Sequence, residues 1–136
     1  MKNLFSAAFL SCFLIFSCTK ENAKPGITGG DTESPTIKVI SPLYIPNLKP
    51  GEYLDIKAII SDNRLINTAA WEAMNAASAC GNSPYKAEFS LVEAVYEMNI
   101  KFLVPPNFSG NRFIRLYAVD NSGNYTITDV SFIAGN

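Results

Sequence analysis

The 136-residue chain has no histidine. That removes imidazole acid–base chemistry, Ser-His-Asp and Cys-His nucleophile pairs, and nearly every zinc site. A surplus of charge is also missing. The 11 basic and 12 acidic side chains leave a formal charge of −1, without the basic stripe that grips nucleic acid. Cysteine is scarce, three in all, and Cys12 and Cys18 both fall in the N-terminal segment. Cys80 is left alone in the remainder, where it has no partner for an internal disulfide. With no base beside it, it is a poor nucleophile, and it reads as a loop or half-buried thiol. No apolar run reaches the roughly 20 residues needed to span a bilayer. What the chain does have is 48% hydrophobic residues, enough for one packed domain and a tail.

The apolar run that is present lies at the start. Met1-Lys2-Asn3 is a short positive region, and Leu4 to Phe16 is an apolar stretch of the length found in secretion signals. The next feature, Ile15-Phe16-Ser17-Cys18, resembles the bacterial lipobox: a branched aliphatic, a variable residue, a small residue and a cysteine. The resemblance implies cleavage before Cys18, diacylation of its sulfur and acylation of the new amine. Two or more chains anchor a protein stably, whereas one does so only marginally. "SCTKEN" also resembles the starts of lipoproteins from Bacteroidota. In that group, acidic residues after the cysteine can mark export to the cell surface, and here Glu21 supplies part of that signal. The implied location is the outer membrane, lipid-anchored, on the periplasmic side or the cell surface.

Thr19 to Pro35 is mostly Gly, Pro, Lys, Glu, Thr and Ser, with Ile27 its one branched aliphatic. Such a segment cannot bury enough surface to fold and reads as a flexible tether with an average reach of roughly 20–25 Å. Glu21, Asp31 and Glu33 read as solubilising charges. The expected division is a signal at 1–17, an acylated cysteine and linker at 18–35, and a folded domain at 36–134.

From Thr36 the hydrophobic period becomes two. Ile37 and Val39 alternate with Lys38; Leu54, Ile56, Ala58 and Ile60 with Asp55 and Lys57; Tyr85, Ala87, Phe89 and Leu91 with Lys86, Glu88 and Ser90. Further on, Tyr96, Met98, Ile100, Phe102 and Val104 alternate with Glu97, Asn99 and Lys101, and Ile114, Leu116 and Ala118 with Phe113, Arg115, Tyr117 and Val119. In the last run, Tyr125 and Ile127 share one face and Val130 and Phe132 the other, a phase change that a β-bulge near Asp129 would reconcile. Alternation of this kind means strands with one buried and one wet face. Turn signals stand at "LKPGEY", "VPPNFSGN" and "DNSGN", where Gly123 suits positive φ in a hairpin. The expected fold is all-β, an antiparallel sandwich of about seven strands. "NTAAWEAMNAASACG" fits a helix by alanine content. The strand count instead asks for a strand near 65–72 with Trp71 buried, then a loop or one helical turn over 74–82.

"SPTIKVISP", "LKPGEYLDIKAIISDNRL", "VPPNFSGNRFIRLYAVDNSGN" and a closing apolar strand together resemble the Ig-like or fibronectin-III-like domains of Bacteroidota lipoproteins. That resemblance implies an Ig-like sandwich and no catalytic residue.

Candidate chemistry is sparse. Asp62 and Asp120 close two strands, and "DNSGN" is dense in oxygen, yet the twelve-residue EF-hand spacing is absent. Both acids read as caps that accept hydrogen bonds from nearby turn N–H groups, and no metal or other cofactor is expected. Glu93 with Glu97, and Glu52 with Asp55, are close in sequence, but they stand on wet faces or turns rather than in the cleft that paired-carboxylate catalysis needs. Aromatics are the stronger lead. Phe113 and Tyr117 share the outer face of one strand and Tyr125 can lie beside them, a patch suited to a sugar ring or a partner. The expectation is a non-enzymatic envelope module that holds a protein partner, or a glycan as an accessory to glycan uptake, with no role on nucleic acid.

Overall fold

The computed structural model describes residues 30–75 and 83–135. The expected signal segment, Cys18, most of the expected tether and Cys80 lie outside the described residues, as does most of the stretch expected to form a loop or helical turn. Among the described residues every regular element is a strand: β1 (Thr36–Ser41), β2 (Asn47–Leu48), β3 (Tyr53–Asn75), β4 (Lys86–Leu103), β5 (Gly110–Asp120) and β6 (Tyr125–Ala134). They form one mixed sheet in the order β1-β3-β5-β6-β2, with β4 also paired to β3. Only the short β2–β6 pair is parallel.

Two strands are long because the chain does not break where the sequence reading ends one strand and begins the next. The first half of β3, Tyr53–Ser61, pairs with Val95–Leu103 of β4, and its Lys57–Ser61 stretch also pairs with β1. The second half, from Ile66, pairs with Lys86–Glu93 of β4 and with β5. The register shifts between Ser61 and Ile66 and again before Thr68, so the polar "DNRL" stretch is a bend. Irregularities of this kind turn a strand and increase its twist. The sheet therefore curls back on itself, and both halves feed one core. Leu54, Ile56, Ala58 and Ile60 of the first half meet Ala69 and Ala73 of the second, with Ile100, Phe102, Leu116 and Phe132 from β4, β5 and β6. Each large aliphatic or aromatic side chain removed from water contributes about 1.5–3 kcal/mol.

The alternation in "YLDIKAIIS", "VYEMNIKFLV" and "FIRLYAVD" matches the burial of those strands residue by residue. Three expectations need correction. β6 has no bulge, because its register with β5 is unbroken from Gly110↔Ala134 to Val119↔Tyr125. Tyr125 and Ile127 simply point outward, because the outer face here is itself partly apolar. Phe89, assigned inward, is 37% exposed. Trp71 is on a strand, as the strand count requires, but is only half-buried, and its ring stands edge-on to Phe102.

Two turns set the strand ends. Glu52 N–H donates to Lys49 O at 3.0 Å with Pro50 and Gly51 between them and Gly51 at φ +88°. This is a type II turn, in which the third residue needs positive φ. In the β5–β6 hairpin, Gly123 takes φ +87° and its N–H donates to Asp120 O.

Candidate functional site

The registers give the body two ends. Thr36, Ser61, Val95 and the β5–β6 hairpin lie at one, and Tyr53, Leu103, Gly110 and Ala134 at the other. The run from Tyr53 to Ser61 puts them about 25 Å apart at 3.3 Å per residue. The described chain enters at the first end.

Three acids converge there. Asp120 ends β5, Asp62 opens the β3 bend, and Asp31 precedes β1. One oxygen from each forms a set whose members all lie within 4.8 Å of one another. Asp120 is 2% exposed. Its Oδ1 accepts the Ser122 and Asn124 N–H groups, both at 2.8 Å, and its Oδ2 accepts the Asn124 amide at 2.7 Å. Asp62 Oδ2 accepts the Arg64 N–H at 2.9 Å. Both acids therefore do cap turns. Asp31 is not a solubilising charge, since its side chain is only 5% exposed. Its Oδ1 accepts the Glu33 N–H and the Asn63 amide, both at 3.0 Å. Those two bonds, that from Asn63 above all, hold its carboxyl below the ordinary carboxylate value. The strand entry is pinned as well. The Asn124 amide donates to Asp31 O and Glu33 O, and the Thr126 hydroxyl donates to Pro35 O.

The aromatic residues named from the sequence lie on the outer face of β5 and β6. The Tyr117 and Tyr125 rings are 5.9 Å apart and tilted by 38°. Burial raises the Tyr117 phenol above its ordinary value, and the neighbouring Tyr125 and Glu88 add to the effect. Phe113 is not part of this pair. It stands about 13 Å further along the strand, with the Arg115 guanidinium 5.3 Å from its ring centre. Arg115 also donates to both oxygens of Asp129, at 2.9 and 3.0 Å. A charged row thus separates Phe113 from the tyrosines.

At the opposite end the sequence reading missed an open groove of about 590 Å³. Pro50, Trp71, Tyr85, Lys101, Leu103 and Pro105 line it. Its floor is an aromatic cluster in which Phe102 packs against Trp71, Tyr85, Phe108 and Phe132 with ring centres 5.8–6.1 Å apart. At the same end, the β1–β2 connection exposes Leu43, Tyr44 and Ile45 at 88%, 77% and 62%. The apolar triplet in "PLYIP" was the available signal for this surface.

A scan against protein-family models finds no match for the chain, and a search of curated proteins finds no similar sequence.

Proposed function

We propose that this protein is a non-catalytic binding or scaffolding module of the bacterial envelope, held by lipid on Cys18, with an Ig-like sandwich as its body. Counted by halves, β3 and β4 each supply two strands. The two layers of an Ig-like fold then correspond to β1 with the first half of β3 and its partner stretch of β4, against the rest of the sheet. The observation that carries the binding role is the separation of the ends. The described chain enters at the carboxylate end, so the apolar groove and the Leu43-Tyr44-Ile45 tip lie at the end opposite the entry of the proposed tether. Exposed apolar surface on a small domain marks a contact site more often than chance, and Trp and Tyr are favoured anchors at such contacts. The occupant is an envelope protein.

The test is recovery of partners from detergent-solubilised envelope by the full chain and by a Leu43→Ser/Tyr44→Ser/Ile45→Ser variant. A band recovered by the wild type and lost from the variant supports the role; equal recovery by both removes it. The anchor is tested separately by metabolic labelling with a clickable palmitate. Label should vanish in Cys18→Ala, and retained label would refute the lipid.

A second reading, a carbohydrate-binding accessory of a glycan-uptake system, is favoured by the adjacent rings of half-buried Tyr117 and exposed Tyr125. It requires a hit on a glycan array that Tyr117→Ala abolishes.

A further inference from the structure

The acids at the tethered end form more than a set of caps. Within the cluster, Asp31 Oδ2 and Asp62 Oδ1 are each buried without a hydrogen-bond donor among the described residues. A buried carboxylate oxygen without a donor is costly, and two of them beside a third acid in the same space compound the cost by repulsion. The cation the structure places at the cluster is Arg64, whose Nε is 3.7 Å from Asp31 Oδ2. That is beyond hydrogen-bond distance, and its side chain is 62% exposed. Among the described residues, one outlying guanidinium against three carboxylates leaves about two negative charges unmatched.

We propose that Asp31, Asp62 and Asp120 form a calcium site that clamps the base of the tether to the body. The donors are all carboxylate oxygens, which suit a hard cation and not zinc or copper. Calcium holds oxygens at about 2.3–2.6 Å, so ligands on opposite sides lie about 4.6–5.2 Å apart, whereas magnesium at 2.0–2.1 Å brings them to about 4.0–4.2 Å. A set whose members all lie within 4.8 Å of one another accommodates calcium separations, and carboxylates drawn from three separate stretches of chain suit its flexible geometry better than magnesium's strict octahedron, with water filling the remaining positions. Each acid comes from a different stretch of chain, so the ion ties the residues before β1, the bend of β3 and the end of β5 together. The Asn63 amide and the Glu33 and Arg64 N–H groups hold Asp31 Oδ1 and Asp62 Oδ2 in place. Of Asp120, Oδ1 accepts two N–H groups and Oδ2 the Asn124 amide alone, so Oδ2 keeps a lone pair for the ion.

The experiment uses the full chain stripped with EGTA, titrated with calcium chloride by calorimetry and then melted in EGTA or in calcium. One calcium per chain should bind, and the melting temperature should rise. Magnesium at equal concentration should raise it less. Asp62→Asn keeps an oxygen to accept the Arg64 N–H while removing a charge. It should weaken calcium binding about tenfold or more, and in EGTA it should melt no lower than wild type because repulsion is relieved. Asp31→Asn is the second variant, should the first not fold. No heat and no melting shift at about 10 mM calcium, ten times the weakest range for extracellular modules, would overturn the site. Binding unchanged in both variants would overturn it equally. Neither outcome touches the partner-binding role, which is read at the other end.

Discussion

The two ends of this small β body are built on opposite principles. The far end is held by rings. Phe102, Phe108 and Phe132 are buried, Trp71 and Tyr85 half-buried, and packing fixes their arrangement. The end where the described chain enters, the tethered end of the proposal, is held by polar groups, most of them oxygens accepting from an N–H. Exposed apolar side chains occur at both, since the bend of β4 leaves Val92 and Val95 at 78% and 60%. Among the described residues, the far end pairs exposure with a groove. Packing is insensitive to ions and pH, whereas a carboxylate cluster responds to both, so stability at the two ends should answer to different solution conditions.

The sharpest way to break that contrast is Phe102→Ala. It removes the ring on which the far-end cluster converges and should cost about 3–5 kcal/mol, with the same loss in EGTA and in calcium. Denaturant unfolding under both conditions measures it. A loss that depends on calcium would mean the two ends are not independent.

Asp120→Ala is next in size. It strips the acceptor from the Ser122 and Asn124 N–H groups and from the Asn124 amide. Hydrogen bonds to a charged group contribute about 1.5–3 kcal/mol. Part of the loss is returned in EGTA, where the change also relieves repulsion from Asp31 and Asp62. The expected cost is about 2 kcal/mol in EGTA and more in calcium. An equal cost in both conditions would return Asp120 to a cap alone.

This asymmetry also explains what could be read from the chain. The far end was legible in its parts because packing leaves a local trace. Period two placed Ile56, Ile100, Phe102 and Leu116 inward with no knowledge of their partners. The groove was not legible, since it depends on how far Trp71 and Tyr85 sink between strands brought together by a bend. At the tethered end, Asp62 and Asp120 were recognisable as caps because a cap bonds within a few residues. Asp31 makes a local bond too, from the Glu33 N–H, but its burial depends on neighbours 32 and 93 residues away, Asn63 and Asn124. A lone acid in a Gly- and Thr-rich stretch looks like any solvated charge. The bulge wrongly placed near Asp129 has the same origin: alternation reveals that Tyr125 and Val130 oppose each other, but not that the outer face tolerates the tyrosine.

Two glycines give a control that should not distinguish the ends. Gly51 at φ +88° serves the far end and Gly123 at φ +87° the tethered end, and a Cβ on either would meet nothing within 4 Å. Replacement by alanine at each should therefore cost only the left-handed backbone, about 1–2 kcal/mol, and nearly the same at both, measured by chemical unfolding. A much larger loss at Gly123 would mean that the hairpin must hold its shape for the carboxylate cluster to form, a coupling that backbone conformation alone does not require.

The smallest effect tests the outer face beside the tethered end, where pH sensitivity in the alkaline range should come from a phenol. Burial chiefly, with Tyr125 and Glu88 adding to it, raises the Tyr117 hydroxyl above its ordinary value. The folded state therefore favours the neutral phenol more than the unfolded chain does. That contribution is fully present below about pH 10, the unperturbed tyrosine value. It falls away as pH climbs toward and through the raised value, because the unfolded chain releases its proton first. Tyr117→Phe has no proton to lose there. Its stability should decline less steeply than that of wild type above about pH 10, and ultraviolet titration should lose one late-ionising phenol. Parallel declines in the two proteins would mean that solvent reaches Tyr117 freely. The tilted tyrosine pair would then be too open to hold a ligand ring against water.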